Sequence, residues 1–146
     1  MPRIVVEPVM EQPSQVAATI LIVEDHLPTL AAVRSLLSAA APACRILAAE
    51  SAEHALELCA NDAPCVVVMD IVLPGMDGIE ATRRIKSLLP DTRVVVHSSH
   101  DVAVYRDAAA AAGASAFVSK YKTFSELVPA IIGVLPAVFR APTGSR

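Results

Sequence analysis

The chain of 146 residues has no tryptophan, two tyrosines, three phenylalanines and only five glycines. Its 54% hydrophobic content is therefore aliphatic and, to a large extent, alanine, which occurs 26 times. The chain is less apolar than its mean hydropathy of +0.53 suggests. No run of 18 apolar residues occurs, which excludes a membrane-spanning helix from this sequence. No Lys/Arg cluster occurs either, and twelve basic residues face fifteen acidic ones for a net charge of −3. That balance argues against a nucleic-acid-binding surface within the chain. The three cysteines, Cys44, Cys59 and Cys65, are an odd number without metal-ligand spacing. They read as buried, reduced thiols of a cytoplasmic protein. Residues 1–15 lack the apolar core of a signal peptide and are interrupted by Pro2, Pro8 and Pro13.

What is present is a regular alternation. Short apolar runs at 19–24, 44–49, 64–70, 93–98 and 115–120 are separated by helical stretches at 28–40, 52–60, 78–88, 102–112 and 124–134. The first helix places Leu30, Val33, Leu36 and Leu37 on one face, and the last does the same with Phe124, Leu127, Val128, Ile131 and Ile132. Pro129 kinks that last helix or delays its start. Ser51, Asp77 and either Thr123 or Ser125 are expected N-caps, and Gly113 a helix stop. The middle strands are apolar on both faces, as a sheet covered on both sides requires. The expected fold is α/β: a doubly wound, five-stranded parallel sheet of flavodoxin-like order 2-1-3-4-5 with five helices. The expected organisation is a flexible leader 1–18, one folded domain 19–135, and a disordered tail or linker start 136–146.

Ligands of such sheets bind at the carboxyl ends of the strands. Strand one ends in Glu24-Asp25, strand three in Asp70, strand four in Ser98-Ser99 and strand five in Lys120. Three carboxylates, a hydroxyl and an ammonium are thereby expected in one crevice. Converging carboxylates repel one another, and a hard divalent cation relieves this. The lysine suits a phosphoryl group, and an aspartate can itself be the nucleophile. Taken singly, each residue has an ordinary structural explanation. Their joint occurrence at four strand ends is what points to phosphoryl chemistry.

The segments ILIVEDH, VVVMDIVLPGMDGIEATRRIK, RVVVHSS and AGASAFVSK together resemble the receiver domain of a two-component response regulator, most closely the NarL/FixJ (LuxR-type) class. The resemblance covers about residues 19–134. It implies a phosphorylation-controlled signalling switch rather than an enzyme with an external substrate. In that reading Asp70 is the phosphoacceptor. Mg²⁺ (or Mn²⁺) is held by Glu24, Asp25, Asp70 and the backbone carbonyl of Val72. Lys120 and Ser98 bind the phosphoryl group, and Ser98 and Phe117 are the switch residues. A sensor histidine kinase is the implied phosphodonor, homodimerisation is implied as an option, and this domain itself contacts neither nucleic acid nor membrane. The transcriptional output domain of the class is absent from this chain.

Several positions depart from the family pattern. Phe117 stands where tyrosine is commoner, so it packs but cannot hydrogen-bond. Tyr121 follows Lys120 where much of the wider family has proline. Val72 is apolar where polar residues orient a hydrolytic water, which implies slow loss of phosphate. His26, His97 and His100 are read as helix-entry, strand and loop residues. The alternative function is a stand-alone or degenerate receiver that binds a protein without being phosphorylated. A flavin-binding reading fails on the acidic EDHLPT loop, which repels phosphate. A dehalogenase-like phosphatase reading fails because Val72 stands where a second aspartate is needed.

Overall fold

The computed structural model describes residues 18–136. Apart from Ala18 and Pro136, the expected leader and tail lie outside the described residues. Five strands, β1 (Thr19–Val23), β2 (Arg45–Ala49), β3 (Val66–Met69), β4 (Arg93–Ser98) and β5 (Ala116–Ser119), alternate with helices α1 (Leu27–Ala40), α2 (Ala52–Asp62), α3 (Gly78–Leu88), α4 (Ala103–Ala111) and α5 (Val128–Val134). All strand pairs are parallel, in the order β2-β1-β3-β4-β5. The expected order is therefore the observed one.

The β1, β3 and β4 runs are apolar at consecutive positions because each strand feeds two cores. Leu21, Val23, Val67, Met69, Val94 and Val96 pack under α2, α3 and α4. Ile20, Ile22, Val66, Val68 and Val95 pack on the other face under α1 and α5. Full burial of each such side chain contributes about 1.5–3 kcal/mol. Among the described residues, no helix is long and apolar enough to cross a membrane.

The helix ends follow the sequence in most places. The Ser51 hydroxyl accepts the His54 N–H at 3.1 Å. The Asp77 carboxylate accepts the N–H groups of Ile79 and Glu80 at 2.8 and 2.9 Å. Gly113 ends α4 at φ +107°, a conformation open to glycine. The last helix differs. α5 begins only at Val128, with Pro129 in its first turn, where a missing N–H costs nothing. Neither Thr123 nor Ser125 caps it. A 3₁₀ turn (Lys120–Lys122) and a wide π turn (Thr123–Leu127) precede it instead. The wide turn breaks the 3.6-residue period, so Phe124 leaves the apolar face on which it was expected and is 81% exposed. Leu127 and Ile131 remain fully buried. The cysteines are free, but only Cys59 is buried; Cys44 and Cys65 are half-buried.

Candidate functional site

The strand ends converge as expected. Glu24 and Asp25 follow β1 and Asp70 follows β3, and carboxylate oxygens of all three lie within 4.8 Å of one another. Glu24 and Asp70 are buried, while Asp25 is exposed. Lys120, the first residue after β5, bridges the two buried acids. Its Nζ lies 2.8 Å from Glu24 Oε1 and 3.1 Å from Asp70 Oδ2. The remaining oxygen of Glu24 accepts the His26 N–H at 3.1 Å, which ties the acid to the start of α1. His26 is indeed a helix-entry residue; its ring Nδ1 lies 2.7 Å from Thr29 Oγ1.

The electrostatics follow from this crowding. Burial, helped by the negative charge of Glu24 and opposed by Lys120, pushes the Asp70 carboxyl up to about 6. For Lys120, burial alone favours the neutral amine, but Glu24 and Asp70 outweigh it and raise its pKa. One ammonium against three carboxylates leaves an excess of negative charge. Oxygen-only ligands of mixed exposure on an open rim are the donor set that Mg²⁺ prefers. The three acids therefore fit such a cation.

The loop after β3 is held close to the acids. Gly78 opens α3 directly against the Asp70 main chain, and its N–H donates to the Ile71 carbonyl at 2.8 Å. Gly75, at φ +78°, turns the loop where the Glu53 side chain packs, and Glu53 accepts the Met76 N–H at 3.2 Å. Val72 stands in this loop and is 53% exposed. Ser98, fully buried at the end of β4, turns its hydroxyl onto its own loop and accepts the His100 N–H at 3.0 Å. Phe117 in β5 is half-buried, with the Arg106 guanidinium carbon 4.6 Å from its ring centroid. A cleft of about 840 Å³ lies at the opposite ends of the strands, beside residues 88–93 and 133–136. It is remote from the acids.

Two residues beside this site were not visible to sequence reasoning in their roles. His97 is a strand residue, as expected, but Thr123, one of two expected helix caps, does not cap α5. The two meet: His97 Nε2 lies 2.8 Å from Thr123 Oγ1, and the Thr123 hydroxyl donates to the Lys120 carbonyl at 2.9 Å. The available signal was a histidine inside an otherwise aliphatic strand.

Comparison with known proteins agrees with this geometry. Residues 20–132 match the family described as "Response regulator receiver domain". The chain is 34% identical over 122 residues to the transcriptional regulatory protein DegU of Brevibacillus brevis, covering 83% of this chain and 51% of that protein. It is 31% identical over 115 residues to the response regulator UvrY of Escherichia coli, covering 79% and 53%. The chain thus spans about half the length of these curated relatives. Among solved structures, a LuxR-family two-component response regulator from Aurantimonas superposes with a TM-score of 0.75 at 35% identity, over 81% of this chain and 84% of that one. The chemotaxis protein CheY4 of Vibrio cholerae shares the fold, with a TM-score of 0.75 at 20% identity, over 82% of this chain and 100% of that one. The chain belongs to the response regulator receiver domain family, and its relatives are LuxR/NarL-type regulators.

Proposed function

We propose that this receiver takes a phosphoryl group on Asp70 from a sensor histidine kinase and uses it to switch an interaction surface. An Asp70 carboxylate oxygen forms the new bond to phosphorus. The bond from phosphorus to the donor's imidazole nitrogen breaks, and that nitrogen keeps the electron pair. The observation that carries this reading is the single ammonium of Lys120 bridging Glu24 and Asp70, with Asp25 across from them. A nucleophilic carboxylate, a cation-binding set and a positive charge for the incoming phosphoryl oxygens are what such transfer needs.

Glu24, Asp25, Asp70 and the Val72 carbonyl would hold Mg²⁺ (or Mn²⁺). When bound, the ion neutralises charge on the transferring group. Lys120 then releases its present partners and pairs with phosphoryl oxygens. Ser98 donates its hydroxyl to the phosphoryl group in exchange for its bond with His100, and Phe117 follows inward. Folded residues 19–135 act as the receiver, in the cytoplasm. The regulatory names of the relatives, and the half of their length that this chain does not span, support a transcriptional output carried elsewhere. Homodimerisation through the switched surface is one route to that output.

The test is intact mass after incubation with Mg²⁺ and acetyl phosphate, wild type beside Asp70→Asn. Gain of one phosphoryl group by wild type alone, abolished by prior EDTA, supports the reading. Equal labelling of both proteins removes Asp70 as acceptor. No labelling of wild type by acetyl phosphate or by a histidine kinase favours a binding module that works unmodified.

A further inference from the structure

His97 sits on β4 with Val118 of β5 as its register partner, 2% exposed. Strand alternation points it to the Val95 side of the sheet, opposite to Ser98. A polar ring placed there without a partner is destabilising. Its partner is Thr123, and the direction of that bond can be derived. The Thr123 hydroxyl has one hydrogen, and a carbonyl can only accept. With that hydrogen given to the Lys120 carbonyl, the imidazole is the donor to Thr123. That arrangement assigns the ring to the neutral tautomer protonated on Nε2. Burial first, and the Lys120 charge second, push His97 down to about 4, so it stays neutral at physiological pH.

The geometry points to His97 as a positioning residue for Lys120, acting through Thr123 as a hydrogen-bonded strut between the switch strand β4 and the main chain that carries the phosphoryl-binding ammonium. This rests on the phosphoryl-transfer reading above. Two observations carry it besides the bonds themselves. Strand pairing between β4 and β5 ends at Ser98–Ser119, one residue short of Lys120. Beyond it, the peptide N–H after Lys120, that of Tyr121, is held by the Ser119 hydroxyl at 3.1 Å, and the Lys120 carbonyl by Thr123. Second, the wide turn that begins at Thr123 leaves Phe124 81% exposed, an arrangement that apolar packing alone does not favour.

The experiment uses the full chain and two readouts. The first is the initial rate of phosphorylation by acetyl phosphate with Mg²⁺, compared among wild type, Thr123→Val, Thr123→Ser, His97→Leu and His97→Gln, with folding checked by urea titration. Thr123→Val and His97→Leu are each expected to slow the reaction about tenfold, the worth of one well-made hydrogen bond at the transition state. Thr123→Ser and His97→Gln, which keep a hydroxyl and an N–H donor, restore most of the rate. The second readout is the ¹⁵N spectrum of the His97 ring, expected to show a protonated Nε2 and a bare Nδ1 from pH 6 to 8 in wild type and in Asp70→Asn. Folded Thr123→Val reacting at the wild-type rate overturns the inference, as does a ring protonated on Nδ1. A wild type that takes up no phosphoryl group from acetyl phosphate or from a histidine kinase, while the ring shows the expected tautomer, overturns the phosphoryl-transfer reading and, with it, the role assigned to the strut. If Thr123→Val does not fold, His97→Leu against His97→Gln decides.

Discussion

Gly78 lies so close to Asp70 that a β-carbon on it would sit 1.8 Å from the Asp70 carbonyl oxygen and 2.9 Å from the Ile71 Cα. Both contacts are with main chain, so no side chain can move aside. Gly78→Ala must push α3 away from the β3 end or displace Asp70. Stability is expected to fall by about 3 kcal/mol or more, the range of severe overpacking. Urea unfolding monitored by far-UV circular dichroism measures it.

Removing Lys120 leaves Glu24 and Asp70 facing each other without compensation. Lys120→Ala is expected to lose roughly 2–4 kcal/mol at neutral pH in EDTA, somewhat less than breaking a fully buried ion pair costs, since the lysine is partly wet. Mg²⁺ then stabilises the variant more than it stabilises wild type, because it takes over the lost positive charge. Thermal melts with and without Mg²⁺ check both halves of this expectation.

The pH dependence has two opposing parts. An unfolded aspartate titrates near 3.8, whereas folded Asp70 titrates near 6. Between those values the folded protein keeps a proton that the unfolded chain has lost, so this group makes stability fall as pH rises from about 4 to about 6. His97 works the other way. Its folded value near 4 lies below the unfolded 6.5, so its contribution rises with pH across nearly the same interval. Wild type in EDTA is therefore expected to show a shallow net profile. Asp70→Asn should expose the rising limb and His97→Leu the falling one, read from urea midpoints at closely spaced pH values.

Asp77 accepts two main-chain N–H groups at the start of α3. Asp77→Ala is expected to cost about 1 kcal/mol, the usual value of a lost N-cap. Asp77→Ser should recover most of it. Chemical denaturation at pH 7 distinguishes the two variants.

The acids and the lysine were legible in the sequence because parallel pairing forces Glu24, Asp70 and Lys120 to one edge whatever the helices do. Chain order and apolar runs suffice for that inference. The His97–Thr123 contact was not legible. It joins residues 26 apart and depends on a π turn that no periodicity signals, since the same residues read equally well as a regular helix starting at Phe124. The exposure of Phe124 is the visible result of that turn. Gly78 was legible as the first residue of the third helical stretch, but its contact with the Asp70 main chain appears only once α3 is docked.

The acids stand on strands whose interior residues, from Ile20 to Val23, Val66 to Met69 and Val94 to Val96, are at most 1% exposed. Hydrogen isotope exchange at those amides requires the whole sheet to come apart, so it proceeds at the rate of global unfolding. The amides of residues 120–127, wound in 3₁₀ and π turns, are expected to exchange through local openings. The floor under Asp70 is thus as durable as the protein itself, and the rim that carries Lys120 depends on the few side-chain bonds that hold its turns.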